Sequence, residues 1–208
     1  LYKTCKLAAE IFNEIRVQRV IARPFLGEKK EEFFRTKNRK DFILPPPIET
    51  LCDKVIKSGK KCFGIGKIAD IFGQRGISES VSGMSDDKLF DEMLKIIKKA
   101  NSGDLIFANF VEFDTLYGHR RDLPGYARAL ENFDKQLPKL FSILNKDDFL
   151  VITADHGNDP SFAGTDHTRE QVPVLIKNQK LINKCYGLIN FSDIGSLIEN
   201  FLSLETSK

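Results

Sequence analysis

Histidine is scarce in this chain, three residues in 208, so any imidazole chemistry has to be concentrated in few places. Cysteine is sparse as well. Cys5, Cys52, Cys62 and Cys185 include no C-x-x-C pair, which excludes the spacing of a zinc cage or a disulfide framework, and reduced thiols in a cytoplasmic setting are expected. No apolar run approaches the roughly 20 residues of a membrane-spanning helix, and no signal-peptide pattern opens the chain, so no membrane partner is expected. The net charge of +3 is too mild to argue for nucleic acid, and none is expected as a partner. Internal repeats and low-complexity tracts are absent. What remains is an ordinary globular composition with enough apolar residues for a core, in a length that suits one large domain or one plus a small one. Residue 1 is Leu rather than Met and lies inside a helical pattern, from which further sequence upstream is expected.

Leu1, Cys5, Ala8, Phe12 and Ile15 recur at helical spacing, so the opening stretch is predicted to be an amphipathic helix. "RVIARPF" follows as a short β-rich run ended by Pro24. The highly charged segment from Gly27 to Asp41 is expected to be a solvated loop or hairpin, or else a basic lip for an anionic ligand. "LPPP", Leu44 to Pro47, marks a boundary. Beyond it, helical and strand patterns alternate. "IETLCDKVIKSG" is predicted helical with Gly59 as its stop, and "KCFGIG" as a strand. "SDDKLFDEMLKIIKKA" reads as a helix capped by Ser85, with acids first and lysines last, as the helix dipole prefers. "DLIFANFVEF" and "DFLVIT" are predicted to be strands buried on both faces, with "VPVLI" a third. A long helix from Leu123 contains Pro138, a candidate kink, and a last helix is expected to be capped by Ser192. This alternation implies an α/β fold, a mostly parallel sheet with helices on both faces.

Every histidine stands beside an acid in a polar, glycine-containing segment. Open α/β sheets gather ligands where parallel strands end. Asp114 comes past "LIFANFV", and Asp155 with His156 past "FLVIT". His119 follows Asp114, with Gly118 expected to permit a tight turn, and His167 follows His156 on a loop with Gly157, Pro160 and Gly164. All five can meet at one rim. Imidazole and carboxylate without thiolate suit manganese, zinc or iron. Five ligands are too many for one catalytic ion that keeps an open position and too few for two complete sites. Paired ions would clamp an in-line phosphoryl displacement. Asp166, Thr168 and Glu170 are placed to orient such ligands. A lone Asp-His pair is usually a turn or a structural hydrogen bond, but three histidines with acids at two strand ends favour metal. Thr115, Thr165 and Thr168 are candidate nucleophiles, with a turn hydroxyl the favoured reading of each.

"FDTLYGHRRD", "TADHGND" and "GTDHTREQVPVL" resemble the phosphopentomutase family of the alkaline phosphatase superfamily, and "RVIARPF", "FFRTKNRKDF" and "GKIADIF" extend the likeness over nearly the whole chain. The resemblance implies an alkaline phosphatase-like core. It implies interconversion of ribose 1-phosphate, or its 2-deoxy form, with the 5-phosphate. Two manganese ions and a phosphothreonine enzyme come with it, primed by a sugar bisphosphate such as glucose 1,6-bisphosphate. It assigns Asp155 and His156 to the ion beside the nucleophile and Asp114, His119 and His167 to the other ion. Arg19, Arg35 and Lys67 match positions lining the substrate cleft. The family's nucleophilic Thr, its further metal-binding Asp and a cap segment that touches the sugar have no match here. On this resemblance the chain corresponds to the C-terminal part of the enzyme: residues 1–44 the tail of a small α+β cap, and 45–208 the C-terminal part of the metal-binding core. It would be inactive without the N-terminal half. A phosphoglycerate mutase, phosphatase or sulfatase of the same superfamily is the nearest competing expectation, and a non-catalytic metal-binding fragment is another.

Overall fold

The computed structural model describes residues 1–36, 38–179 and 185–204. Along the chain run α1 (Tyr2–Asn13), β1 (Arg19–Ala22), β2 (Phe25–Leu26), β3 (Phe34–Arg35), β4 (Lys40–Ile43), α2 (Leu51–Lys57), β5 (Cys62–Ile65) and α3 (Ile68–Ile71). Then follow β6 (Glu79–Val81), α4 (Asp86–Lys99), β7 (Leu105–Ala108), α5 (Leu123–Phe141), β8 (Leu150–Thr153), β9 (Val174–Lys177) and α6 (Phe191–Phe201).

The opening amphipathic pattern forms α1, which packs on β1 and β4. The charged segment folds as paired strands. β1 pairs antiparallel with β4, Arg19 opposite Ile43, and within that loop β2 pairs with β3, Phe25 opposite Arg35. The Pro-rich boundary has no regular element and is anchored by Arg75. Its Nη1 donates to the Pro46 carbonyl at 2.5 Å and its Nη2 to that of Ile48. The same guanidinium grips Asp53 at 2.7 Å. Asp53 also closes a reciprocal cap with Thr50 at the start of α2, a pairing that satisfies otherwise orphaned N–H groups. The Arg75 contact, with the Thr50 bonds, holds the Asp53 carboxyl down to about 2.

The central strand is β5, whose four residues are all buried. It runs parallel to β6 on one side and to β7 on the other. Successive side chains of a strand point to opposite faces, so β5 feeds two cores. Phe63 and Ile65 join Leu89, Phe90, Met93 and Ile96 of α4 and Leu140 of α5. Cys62 joins Cys52 and Val55 of α2, with Leu202 and Leu204 from the end of α6. Helices therefore cover both faces of a parallel α/β sheet, as the alternation predicts. A hydrogen bond from Lys54 to Glu199 at 2.9 Å ties α2 to α6. All four cysteines are free.

Several details differ from expectation. β7 ends at Ala108, has β5 as its one strand partner among the described residues, and is only half-buried, with Phe107 38% exposed. β8 is likewise half-buried and pairs antiparallel with β9, Leu150 opposite Lys177. Ser85 occupies the cap position of α4 but makes no side-chain bond there. α6 is capped by Asn190 in a reciprocal pair with Asp193, and Ser192 lies inside the helix. The long helix α5 runs on through Pro138 to Phe141. β6 and α3 have no counterpart in the sequence reading. Among the described residues no helix is long and apolar enough to cross a membrane.

Candidate metal centre

Two segments build the site. The first leaves β7 and winds through a π-helical stretch, Phe113–Gly118. Asp114 sits in its first turn rather than directly past the strand. The entrance is clamped by Asp86, whose carboxylate accepts from the Val111 and Glu112 amides at 3.0 and 2.9 Å. Burial raises the Asp86 carboxyl to about 6 despite those two hydrogen bonds. The Thr115 hydroxyl donates to the Val111 carbonyl at 2.9 Å, the ordinary role of a helical threonine. The segment ends where Asp122 caps α5 through the Gly125 amide at 2.9 Å.

The second segment is the long loop between β8 and β9. Antiparallel pairing brings its two ends together, and a further bridge joins Gly157 to Thr168, with the Thr168 amide donating to the Gly157 carbonyl at 3.0 Å. His156 and His167 flank that bridge on opposite legs. The Thr168 hydroxyl accepts from the Asp159 amide at 2.7 Å and donates to Glu170. A Cβ at Gly157 would stand 2.9 Å from the Thr168 backbone carbonyl oxygen across the bridge, so the legs close this tightly only around glycine.

The imidazoles meet over Asp114. His167 Nε2 lies 3.2 Å from Asp114 Oδ1, and His119 Nε2 lies 3.4 Å from Oδ2. The two Nε2 atoms are 3.2 Å apart. His156 stacks on His167 with centroids 3.7 Å apart, and Asp114, His156 and His167 each offer a ligand atom within 4.8 Å of the others. His119 Nδ1 faces the Thr165 carbonyl at 2.5 Å and His156 Nδ1 the Gly157 carbonyl at 3.2 Å. A carbonyl only accepts, so each Nδ1 carries the hydrogen and, in a neutral ring, Nε2 presents a lone pair. The His119 Nε2 lone pair then faces Asp114 Oδ2 at 3.4 Å, a repulsion that a cation between them relieves. A backbone partner on the far ring nitrogen is also how metal-bound histidines are held. This donor set fits a divalent ion with nitrogen and oxygen ligands.

Asp155 is more loosely placed. Its side chain is 69% exposed, with Oδ1 3.7 Å from His156 Nε2. The candidate substrate residues stand on three separate segments: Arg19 on β1, Arg35 on β3 and Lys67 before α3. Arg35 lines a cleft with Arg23, Pro24, Thr36 and Arg39. Arg19 faces Asp41 at 3.7 Å. Asp166 contributes its backbone carbonyl, which accepts from Arg121 at 2.6 Å.

Three residues at the site were not foreseen. Asp86 holds the first segment, and Asn158, nearly fully buried, donates from Nδ2 to Asp114 Oδ1 at 2.6 Å. Arg121 spans both segments. Gly118 also has a different role from the expected turn. It has no left-handed backbone, and a Cβ there would fall 2.5 Å from Asn158 Nδ2, so it makes room for that amide. Nothing in "GHRRD" distinguishes Arg121, which reaches inward, from Arg120.

Residues 59–206 match the model of the Metalloenzyme superfamily. Among curated proteins, the chain is 47% identical over 209 residues to the phosphopentomutase of Chelativorans sp., covering 100% of the chain and 51% of that protein. It is 46% identical to the phosphopentomutases of Chromohalobacter salexigens and Legionella pneumophila, covering 98% and 99% of the chain and 50% and 51% of those proteins. The chain thus spans about half the length of the curated relatives it matches. Among solved structures, the PH0037 protein from Pyrococcus horikoshii shares the fold, with a TM-score of 0.61 at 13% identity over 99% of this chain and 64% of that one.

Proposed function

The chain belongs to the Metalloenzyme superfamily, and on that premise we propose that it supplies the metal-binding part of a phosphopentomutase, acting on ribose or deoxyribose 1- and 5-phosphates. The observation that carries this reading is the convergence of Asp114, His119, His156 and His167, in a chain matched end to end by relatives named phosphopentomutase.

In this reading Asp114, His119 and His167 hold one manganese ion, and Asp155 and His156 contribute to a second. The ions would supply charge neutralisation of the phosphoryl oxygens during in-line displacement. The chain's own residues do the rest. The Thr165 and Gly157 carbonyls fix the imidazole tautomers so that Nε2 faces the centre. Asn158 holds Asp114 by its Oδ1. Arg35 serves the substrate phosphate, because a guanidinium fork makes paired bonds to phosphate oxygens, with Arg19 and Lys67 on the sugar phosphate as well. A phosphothreonine enzyme primed by glucose 1,6-bisphosphate or a similar sugar bisphosphate belongs to the same proposal. Its nucleophile would come from the other half of the relatives' length, so these 208 residues alone are proposed to be inactive. Residues 1–44 would form part of a cap and 45–208 part of the core. Cytoplasmic pentose phosphate metabolism is the proposed setting.

Assay of the protein extended to the relatives' length tests this. Manganese-dependent isomerisation of ribose 5-phosphate, dependent on a sugar bisphosphate, supports a mutase. Hydrolysis of p-nitrophenyl phosphate without isomerisation would make it a phosphatase of the superfamily instead.

A further inference from the structure

The Arg121 guanidinium gathers five acceptors from the two segments that carry the candidate ligands. Nε donates to the Gly164 carbonyl at 2.5 Å. Nη1 reaches the Gly118 carbonyl at 3.0 Å, Asn158 Oδ1 at 2.7 Å and the Asp159 carbonyl at 2.9 Å. Nη2 donates to the Asp166 carbonyl at 2.6 Å. These acceptors are not scattered. Gly118 immediately precedes His119, and Asp166 immediately precedes His167. Gly164 precedes Thr165, whose own carbonyl receives His119 Nδ1. Asn158 and Asp159 lie just past His156 on the other leg of the loop.

Asn158 extends this contact to a carboxylate. Arginine can only donate, so the Asn158 atom facing it is the oxygen, and an ionised Asp only accepts, so the atom facing Asp114 is the nitrogen. The two ends agree. Arg121 therefore dictates which way the amide points, and the amide then dictates where Asp114 Oδ1 stands, 2.6 Å from Nδ2 and 3.2 Å from His167 Nε2. Arg121 adopts a left-handed backbone, φ 55°, an uncommon conformation for a non-glycine residue that aims its side chain back across the loop.

We propose that Arg121, acting through Asn158, is a positioning residue for the centre: a fixed internal cation that sets the spacing of Asp114, His119 and His167 before any metal binds. This rests on the metal reading of that centre, but its effect on the loop does not. Groups that orient metal ligands typically contribute about 10- to 100-fold in affinity.

The test compares wild type with Arg121→Met, Arg121→Lys and Asn158→Ala. Two measurements are made: amide hydrogen exchange of the metal-free protein, and cobalt(II) and manganese(II) binding followed by visible absorption and spin resonance. The expected result is faster exchange confined to residues 157–168, with α4 and β5 unchanged. With it should come manganese affinity lowered about tenfold or more and an altered cobalt spectrum. Lys, which keeps the charge but has fewer donors and no fork, should fall between wild type and Met. Met and Ala combined should cost less than the sum of the two, because they interrupt one relay. Unchanged exchange at 157–168, or a uniform rise across the whole protein, overturns the proposal. So does an unchanged affinity and cobalt spectrum in a wild type that binds. If wild type binds neither metal, the metal reading fails, and loop exchange alone decides the positioning role. Should Arg121→Met not fold, the Lys and Asn158→Ala proteins decide it by the same criteria.

Discussion

His119 Nε2 and His167 Nε2 face each other at 3.2 Å, although 48 residues separate them in the chain. Both imidazoles face the Asp114 carboxylate, which Asn158 holds from Nδ2 while lying against Gly118. A methyl group at position 118 would stand 2.5 Å from Asn158 Nδ2 and 2.7 Å from its Cγ. Gly118→Ala should therefore displace the amide from Asp114 and lower manganese affinity about tenfold or more, a loss of roughly 1.4 kcal/mol. The unfolding midpoint in chelator should fall as well, because the displaced amide is buried and gives up its bonds to Asp114 and Arg121. Calorimetric titration beside a thermal melt checks both. A variant with wild-type affinity would show that Asn158 does not govern the site.

How far this was readable beforehand depends on what kind of interaction fixes each feature. α4 and the Thr50-capped α2 are set by local patterns, and both are legible in the sequence. β5 is legible as a strand because burial on two faces leaves a nearly continuous apolar run. The joining of His156 to His167 is different, because it depends on β8 and β9 returning antiparallel, a tertiary pairing that adjacent residues do not encode. The ligand candidates showed because histidine is scarce. Asn158 and Arg121 stayed hidden, because a buried amide and an inward guanidinium read in sequence as ordinary polar loop residues. Asp86 is an acid of the first turn of α4, as the dipole favours, but the clamp its carboxylate makes on Val111 and Glu112 is a tertiary contact that the local pattern does not encode.

That clamp has a pH signature. Burial raises the Asp86 carboxyl to about 6, above its unfolded value near 3.9. Its contribution is therefore fully present below about pH 4 and is lost as pH rises through about 6. Asn at this position cannot ionise, though it forfeits one of the two amide acceptors. The stability of Asp86→Asn relative to wild type should improve between about pH 4 and 6.5, by on the order of 1–3 kcal/mol, and then level off. Urea unfolding across that range measures it. A flat difference would mean that Asp86 keeps an ordinary carboxylate affinity for protons.

Asp53 should behave in the opposite sense. Its carboxyl is held at about 2 by Arg75 and Thr50, below the unfolded value, so its contribution is present above about pH 4 and is lost as pH falls toward 2. With Arg75 partly open to solvent, the contribution is roughly 1–2 kcal/mol. Asp53→Asn should destabilise the protein by about that amount at pH 7 and converge with wild type in acid. Parallel curves over the whole range would contradict the assignment.

In protein of the relatives' length, Arg35→Ala should lower kcat/KM for ribose 5-phosphate by more than about tenfold, roughly 1.4 kcal/mol. Arg39, whose Nε and Nη2 are bonded to Asp41 at 2.7 and 2.8 Å, should matter through that pair. Unchanged kinetics for Arg35→Ala would reduce it to a surface cation.

Asp114 and the three imidazoles are proposed to hold a divalent ion. The most direct measurement is manganese binding to the metal-free chain by spin resonance, repeated with His119→Ala/His167→Ala. Saturable binding by the wild type is expected, with a loss of about 100-fold or more in the double variant, whose unfolding in chelator stays close to wild type. No saturable binding, or equal affinity in both proteins, would contradict it.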